Sequence, residues 1–204
     1  CAIAMNPTTG EILALATYPN FDLNNSKGID GSLLLNPAVN YSYEPGSAIK
    51  PIIAAIALDN KIIGEDEVFE GFSGKLTIGD VNIIDEHPLG KPNLEQALAF
   101  SSNIVFAQIS SRLDPEILIN RLKKFGFGSK TGIELPGEQR GNLPEPAVVS
   151  TTRQKFIGFG YGIAVTPIQL LTSYSAIANK GYMVKPHIIK GIYDGANPIW
   201  SDTL

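Results

Sequence analysis

Two short apolar runs open the chain, Ala2 to Met5 and Glu11 to Thr17, with Asn6-Pro7-Thr8-Thr9-Gly10 between them. Proline suits the first corner of a turn and glycine a positive φ, so residues 1–17 predict a β-hairpin. Ile12 to Ala16 put apolar groups on both faces, which predicts a strand buried on both sides in a sheet covered by helices. Thr17 to Val39 reads as loop, rich in Asn, Pro, Gly and Ser. Pro51 to Asp59 is a strong helical run, and Lys61 to Asp85 mixes glycine with short β-like pieces. Asn93 and Gln96 stand at capping-box spacing, opening a helix that stops at Ser101-Ser102-Asn103. A further helix runs from Ile104 to Leu113, with Val105, Ile109 and Leu113 on one stripe. Asp114-Pro115-Glu116 starts another, and Gly126 is its stop. Gly126 to Pro146 reads as loop. Thr166-Pro167-Ile168-Gln169 is a second capping box, whose helix carries Leu170, Leu171, Tyr174 and Ile177 and ends near Gly181. Tyr182 to Tyr193 is expected to be extended. The organisation is a mixed α/β class: a hairpin on each side of a helix-rich stretch at residues 40–180, with no internal repeat.

Composition narrows what such a chain can do. Its 204 residues, 44% hydrophobic and 18% charged, suffice for a sizeable core. The net charge of −4 offers no basic footprint for nucleic acid. Apolar stretches such as Pro51 to Leu58 are far too short to span a bilayer. Cys1 is the only cysteine, which excludes an internal disulfide, and His87 and His187 stand far apart, so no metal site is expected. The chain begins directly in a strand-like run and ends in the polar Trp200-Ser201-Asp202-Thr203-Leu204, which reads as an excerpt from something longer.

Three clusters carry candidate chemistry. Ser47-Ala48-Ile49-Lys50 puts a serine and a lysine on one face of a helical turn. A serine hydroxyl is a poor nucleophile until a base takes its proton, and a neutral lysine can be that base. Lowering a lysine pKa by about three units from about 10.4 costs roughly 4 kcal/mol, which burial or a nearby cation must supply. Ile49, Ile52 and Ile53 make burial the expected source. The plainer alternative is a serine helix cap with a solvated lysine one turn on. Lys50 also precedes Pro51, which biases it away from α geometry and predicts a tight first turn before the regular helix. Ser101-Ser102-Asn103, at a helix junction, can relay a proton and hold a carbonyl, or can equally serve as a double cap. Lys130-Thr131-Gly132 would complete a Ser-x-x-Lys, Ser-x-Asn, Lys-Thr-Gly set. It sits in a glycine-rich loop instead of on an edge strand, so we read it as a decoy.

Longer stretches add a resemblance. Ala4 to Ala14, Tyr43-Glu44-Pro45-Gly46-Ser47-x-x-Lys50, Ala99 to Phe106, Phe125 to Glu138 and Gly158 to Tyr182 resemble, in this order and over nearly the whole chain, the transpeptidase domain of class B penicillin-binding proteins. The resemblance implies an antiparallel sheet flanked by helices with an all-α subdomain, incomplete here because the family's catalytic Lys-Thr-Gly strand should follow Tyr193. It implies D-Ala-D-Ala transpeptidation of peptidoglycan, with Ser47 as nucleophile, Lys50 as base, Ser101 as proton relay and Asn103 holding the substrate backbone. The partners implied are donor and acceptor stem peptides, β-lactams as covalent inhibitors and the cell-wall synthesis machinery. The place implied is the outer face of a bacterial cytoplasmic membrane, in a membrane-anchored parent. No metal or cofactor is implied. The rivals are a β-lactamase or β-lactam sensor with the same residues, and a non-catalytic scaffold.

Overall fold

The computed structural model describes residues 1–22, 24, 29–79, 81–195 and 197–201. The chain divides into two compact units. The first comprises Cys1–Tyr43, Phe125–Asn142 and Val165–Leu204, and the second Glu44–Lys124 and Leu143–Ala164.

In the first unit, β1 (Ala2–Met5) and β2 (Ile12–Ala16) form the expected antiparallel hairpin, with Ala2 opposite Ala16 and a register shift after Ala4. Ile3, Ile12 and Leu15 pack on a core of Ala38, Val39, Ile133 and Ile168. The expectation of burial on both faces fails here, because Leu13 is 64% exposed. Helix α1 (Pro37–Asn40), capped by Asn36, supplies Ala38 and Val39 to this core. The rest of the loop-like stretch from Thr17 to Val39 includes a 3-10 turn at Gly31–Leu34. Residues 23 and 25–28 of that loop, and 202–204 of the polar tail, lie outside the described residues.

A further helix of this unit, α7 (Pro167–Ala178), comes late in the chain. Its capping box is formed by Thr166 and Gln169 as expected. Its buried face is a different one from that suggested by Leu170, Leu171, Tyr174 and Ile177. Ile168, Gln169, Thr172, Ser173, Ser175 and Ala176 are buried, while Tyr174 and Ile177 are exposed. Small and hydroxyl-bearing residues allow close packing, and the buried hydroxyls return hydrogen bonds to helix carbonyls, such as Thr172 to Ile168. Only part of Tyr182 to Tyr193 is strand. His187 is bridged in parallel to Glu11, and β5 (Gly191–Asp194) pairs antiparallel with β6 (Asn197–Ser201), the hairpin expected on this side of the helix-rich stretch.

The second unit is built around α2 (Lys50–Asp59), which is buried almost all round through Ile52, Ile53, Ala54, Ile56 and Ala57. A hairpin of β3 (Lys75–Ile78) and β4 (Val81–Ile84) comes next, then α3 (Leu94–Ala99), α4 (Asn103–Arg112) and α5 (Pro115–Lys124). The Asn93–Gln96 capping box is present. The predicted stripe on α4 is real, since Val105, Ile109 and Leu113 are all buried. Helix α4 packs against α2 and against α6 (Thr151–Ile157). Sequence reasoning missed α6 because it is short and mostly polar; its one signal is Ser150, which caps the Arg153 N–H. Gln154 on α6 donates to the Ser110 and Leu113 carbonyls at 2.7 and 2.5 Å, and Ser110 returns a bond to the Gln154 carbonyl. These bonds satisfy buried polar groups that would otherwise each cost about 1–3 kcal/mol.

Candidate active site

The residues Gly46–Ile49 form a 3-10 turn that runs straight into α2. In a 3-10 turn positions i and i+3 eclipse, which brings Ser47 and Lys50 together. Lys50 Nζ lies 3.0 Å from Ser47 Oγ. The tight turn expected before Pro51 is therefore present. Lys50 itself nevertheless adopts α geometry, with φ −55° and ψ −43°. Ser47 is exposed, whereas Lys50 is only 2% exposed. The alternative of a solvated lysine is thereby removed.

The junction between α3 and α4 supplies the rest. Ser101 takes a left-handed backbone with φ +54°, a conformation that costs a non-glycine residue about 1–3 kcal/mol. The turn aims both its carbonyl, at 2.6 Å, and its hydroxyl, at 3.0 Å, at Lys50 Nζ. Ser102 is the N-cap of α4, accepting from the Val105 N–H, so the cap reading holds for this one residue. Asn103 opens α4, and its Oδ1 accepts from Lys50 Nζ at 2.7 Å. Its Nδ2 donates to the Ile84 carbonyl, which fixes the orientation of the amide. The structure thus brings together all four residues singled out in the sequence.

Lys50 faces four oxygens. An ammonium has only three hydrogens to give them; a neutral amine has two, and a lone pair besides. In the neutral form the two closest acceptors, the Ser101 carbonyl and Asn103 Oδ1, take the hydrogens. The lone pair is then left for a hydroxyl proton from Ser47 or Ser101. Burial pulls the pKa of this amine from the usual lysine range down to about 8, and the Asp85 carboxylate opposes the fall. Phe106 lies beneath the amine, its ring centroid 5.9 Å from Nζ. The site can therefore deprotonate a solvent-facing serine near neutral pH.

Two further sets of contacts at this site have no local signal in the sequence. Asp85, 4% exposed, accepts from Ser102 Oγ at 2.5 Å, from the Asn103 N–H at 2.6 Å and from the Ile104 N–H at 3.0 Å. No local spacing could reveal it, since its partners lie 17–19 residues on. The segment Gly158 to Gly162 braces the turn that carries Ser47. The Gly46 N–H donates to the Gly160 carbonyl at 3.1 Å, and Glu44 Oε1 accepts from the Gly162 N–H at 2.8 Å. Gly160 has φ +92°, and a Cβ there would strike the Gly46 backbone.

Lys130-Thr131-Gly132 belongs to the first unit, whereas Ser47, Lys50, Ser101 and Asn103 belong to the second. The donors of Thr131 and Gly132 are engaged locally. Glu138 accepts from the Thr131 N–H and hydroxyl, both at 2.6 Å, and from the Gly132 N–H at 3.1 Å. Among the described residues no group of three or more His, Cys, Asp or Glu gathers as a metal site, and no helix is long and apolar enough to cross a membrane.

Comparison with known proteins is decisive for the family. The sequence model described as the penicillin binding protein transpeptidase domain matches residues 1–203. The chain belongs to this transpeptidase family. Among its relatives, the "Penicillin-binding protein PbpB" of Mycobacterium tuberculosis is 35% identical over 93% of this chain and 28% of its own length. The "Peptidoglycan D,D-transpeptidase FtsI" of Buchnera aphidicola is 36% identical over 93% of this chain and 33% of its own. The apo TP domain of penicillin-binding protein 3 from Burkholderia pseudomallei superposes with a TM-score of 0.82 at 26% identity, over 96% of this chain and 54% of that one. The transpeptidase-family chain described here thus spans about a third of the length of the curated relatives it matches.

Proposed function

We propose that the protein is a serine D,D-transpeptidase that crosslinks peptidoglycan stem peptides through an acyl-Ser47 intermediate. The observation that carries this reading is the buried Lys50 amine, held within hydrogen-bonding distance of Ser47 Oγ, Ser101 Oγ and Asn103 Oδ1 at once. Ser47 Oγ attacks the carbonyl of the penultimate D-Ala of a donor stem peptide while its proton passes to Lys50. The positive end of α2 favours the negative charge that develops on the carbonyl oxygen. As the tetrahedral species collapses, the peptide C–N bond breaks. Ser101, in contact with the same amine, hands a proton to the departing D-Ala nitrogen. The amine of an acceptor stem peptide then attacks the acyl-serine, its proton leaves through the same relay, and Ser47 is released with its proton restored. Asn103 keeps one Nδ2 hydrogen beyond its bond to the Ile84 carbonyl, and this hydrogen holds the donor's backbone carbonyl.

A β-lactam presents an amide that opens on Ser47 and leaves a stable acyl-enzyme. The protein acts, on this reading, within the cell-wall synthesis machinery at the outer face of a bacterial cytoplasmic membrane. The test is to label the full-length protein with a fluorescent penicillin, digest it and map the adduct. Attachment at Ser47 is expected. Attachment to another peptide, or no adduct, overturns the reading, and catalytic turnover of the β-lactam reassigns the protein as a hydrolase.

A further inference from the structure

We propose that Asp85 is a positioning residue of this site: its buried carboxylate fixes the turn that presents Ser101 and Asn103 to Lys50, and its charge helps set the pH at which Lys50 gives up its proton. The inference rests on the acyl-transfer reading above.

Asp85 directly succeeds β4 and is 4% exposed. A buried carboxylate is tolerated only when donors surround it. Here Oδ2 takes the Ser102 hydroxyl, and Oδ1 takes the backbone N–H groups of Asn103 and Ile104. Those N–H groups are among the orphan donors at the start of α4, where the helix dipole is positive. Asp85 therefore holds three consecutive residues, Ser102, Asn103 and Ile104. Ser101 and Asn103, which flank and belong to that run, are the two that reach Lys50. Ser101 is the residue held at positive φ, so its geometry depends on Ser102 and Asn103 being fixed beside it.

The capping duty alone does not call for a charge, since a neutral oxygen satisfies an N–H as well. What a carboxylate adds is a field. Among the elements packed on α2, α3 carries Glu95 and α4 carries Arg112, which is ion-paired with Glu67. The charge whose field reaches Lys50 is that of Asp85, and it favours the protonated amine. Burial drives the proton off and Asp85 holds it on, so the carboxylate trims the fall in Lys50 basicity while aligning its partners.

The test measures acylation of the full-length protein by a fluorescent penicillin across roughly pH 6 to 10, where a lysine base of this kind titrates. Asp85→Asn keeps an oxygen for the Asn103 and Ile104 N–H groups and removes the charge. The rise of acylation rate with pH is expected to shift to lower pH in Asp85→Asn, because the amine loses its proton more readily. Asp85→Glu restores the charge and is expected to bring the rise back towards the wild-type position. If both the pH of the rise and the plateau rate stay at their wild-type values in Asp85→Asn while only the melting temperature changes, Asp85 is a structural cap and the proposal falls. Should Asp85→Asn fail to fold, Ser102→Ala tests the positioning role, with a plateau rate lowered roughly tenfold expected from a misaligned relay. An unchanged rate there also overturns the proposal. Failure of the wild type to acylate is a separate result that removes the functional reading itself.

Discussion

At the scale of single residues, Ser47 and Lys50 differ in what surrounds them, and the difference shapes what each substitution does. Ser47 is exposed, and Lys50 keeps three other acceptors without it. Ser47→Ala is therefore expected to abolish penicillin labelling while stability moves by no more than about 0.5 kcal/mol, typical of surface changes. Thermal melting beside a labelling gel checks both halves. Lys50 is buried, and its pKa lies near 8 because burial penalises the ammonium. A base acts when unprotonated, so acylation is expected to rise with pH through about 8 and then level off. Lys50→Arg keeps a cation that does not deprotonate and forces a larger group into a filled site. It is expected to lose most of the acylation rate at every pH, measured on the folded fraction by stopped-flow. A rate within a few-fold of wild type would exclude Lys50 as the base.

At the scale of elements, the turn that carries Ser47 is only as well placed as the segment that braces it. Gly160 needs its positive φ and leaves no room for a Cβ against the Gly46 backbone. Gly160→Ala is expected to cost at least about 1 kcal/mol through backbone strain alone. The larger effect is expected on chemistry. Displacing the Gly46–Ile49 turn by about 1 Å is the kind of misplacement that lowers rates by about 10²-fold. Parallel measurement of melting temperature and acylation rate separates the two. A variant that acylates at the wild-type rate would show that the contact between these loops is not needed to place Ser47. Gly158 plays a related part elsewhere in the unit, where a Cβ would strike the Phe106 carbonyl and Ser110. Its bare backbone lets α6 approach α4, the helix that carries Asn103.

At the scale of the whole molecule, motifs that look equivalent on paper belong to different units. Lys130-Thr131-Gly132 lies in the first unit, in a loop whose Thr131 and Gly132 donors are engaged by the buried Glu138. A substrate-binding triplet needs its donors free, and these are used to fold the loop on itself. Lys130→Ala is therefore expected to leave penicillin acylation within about twofold of wild type, consistent with the small effects of surface substitutions. Glu138→Ala, which strands the Thr131 and Gly132 donors, is expected to destabilise by about 1–3 kcal/mol. A collapse of acylation in Lys130→Ala would assign this triplet to the catalytic site and overturn its reading as a decoy.

Local chemistry in the sequence determined a large part of this protein. The Asn6 to Gly10 turn, the two capping boxes at Asn93 and Thr166, and the stripe of Val105, Ile109 and Leu113 all depend on neighbours within a few positions, and all are present in the fold. The Ser47–Lys50 pair is of the same kind, since three-residue spacing in a helical turn puts the two side chains side by side. Local reading was weaker where burial is decided by what lies across the fold. It expected β2 to be covered on both sides and looked to the large apolar residues of α7, whereas Leu13 and Ile177 are exposed and small residues line the buried face of α7. It missed α6, whose polar sequence is held by Gln154 reaching into α4. Above all, the approach of Ser101 and Asn103 to Lys50 spans 51 and 53 residues. Asp85 joins them through bonds that no periodicity encodes. The pairing of Ser47 with Lys50 was thus written in one turn of chain. The burial that lowers the pKa of Lys50 and the turn that aims its partners exist only after packing, because desolvation and long-range hydrogen bonds are properties of the folded arrangement.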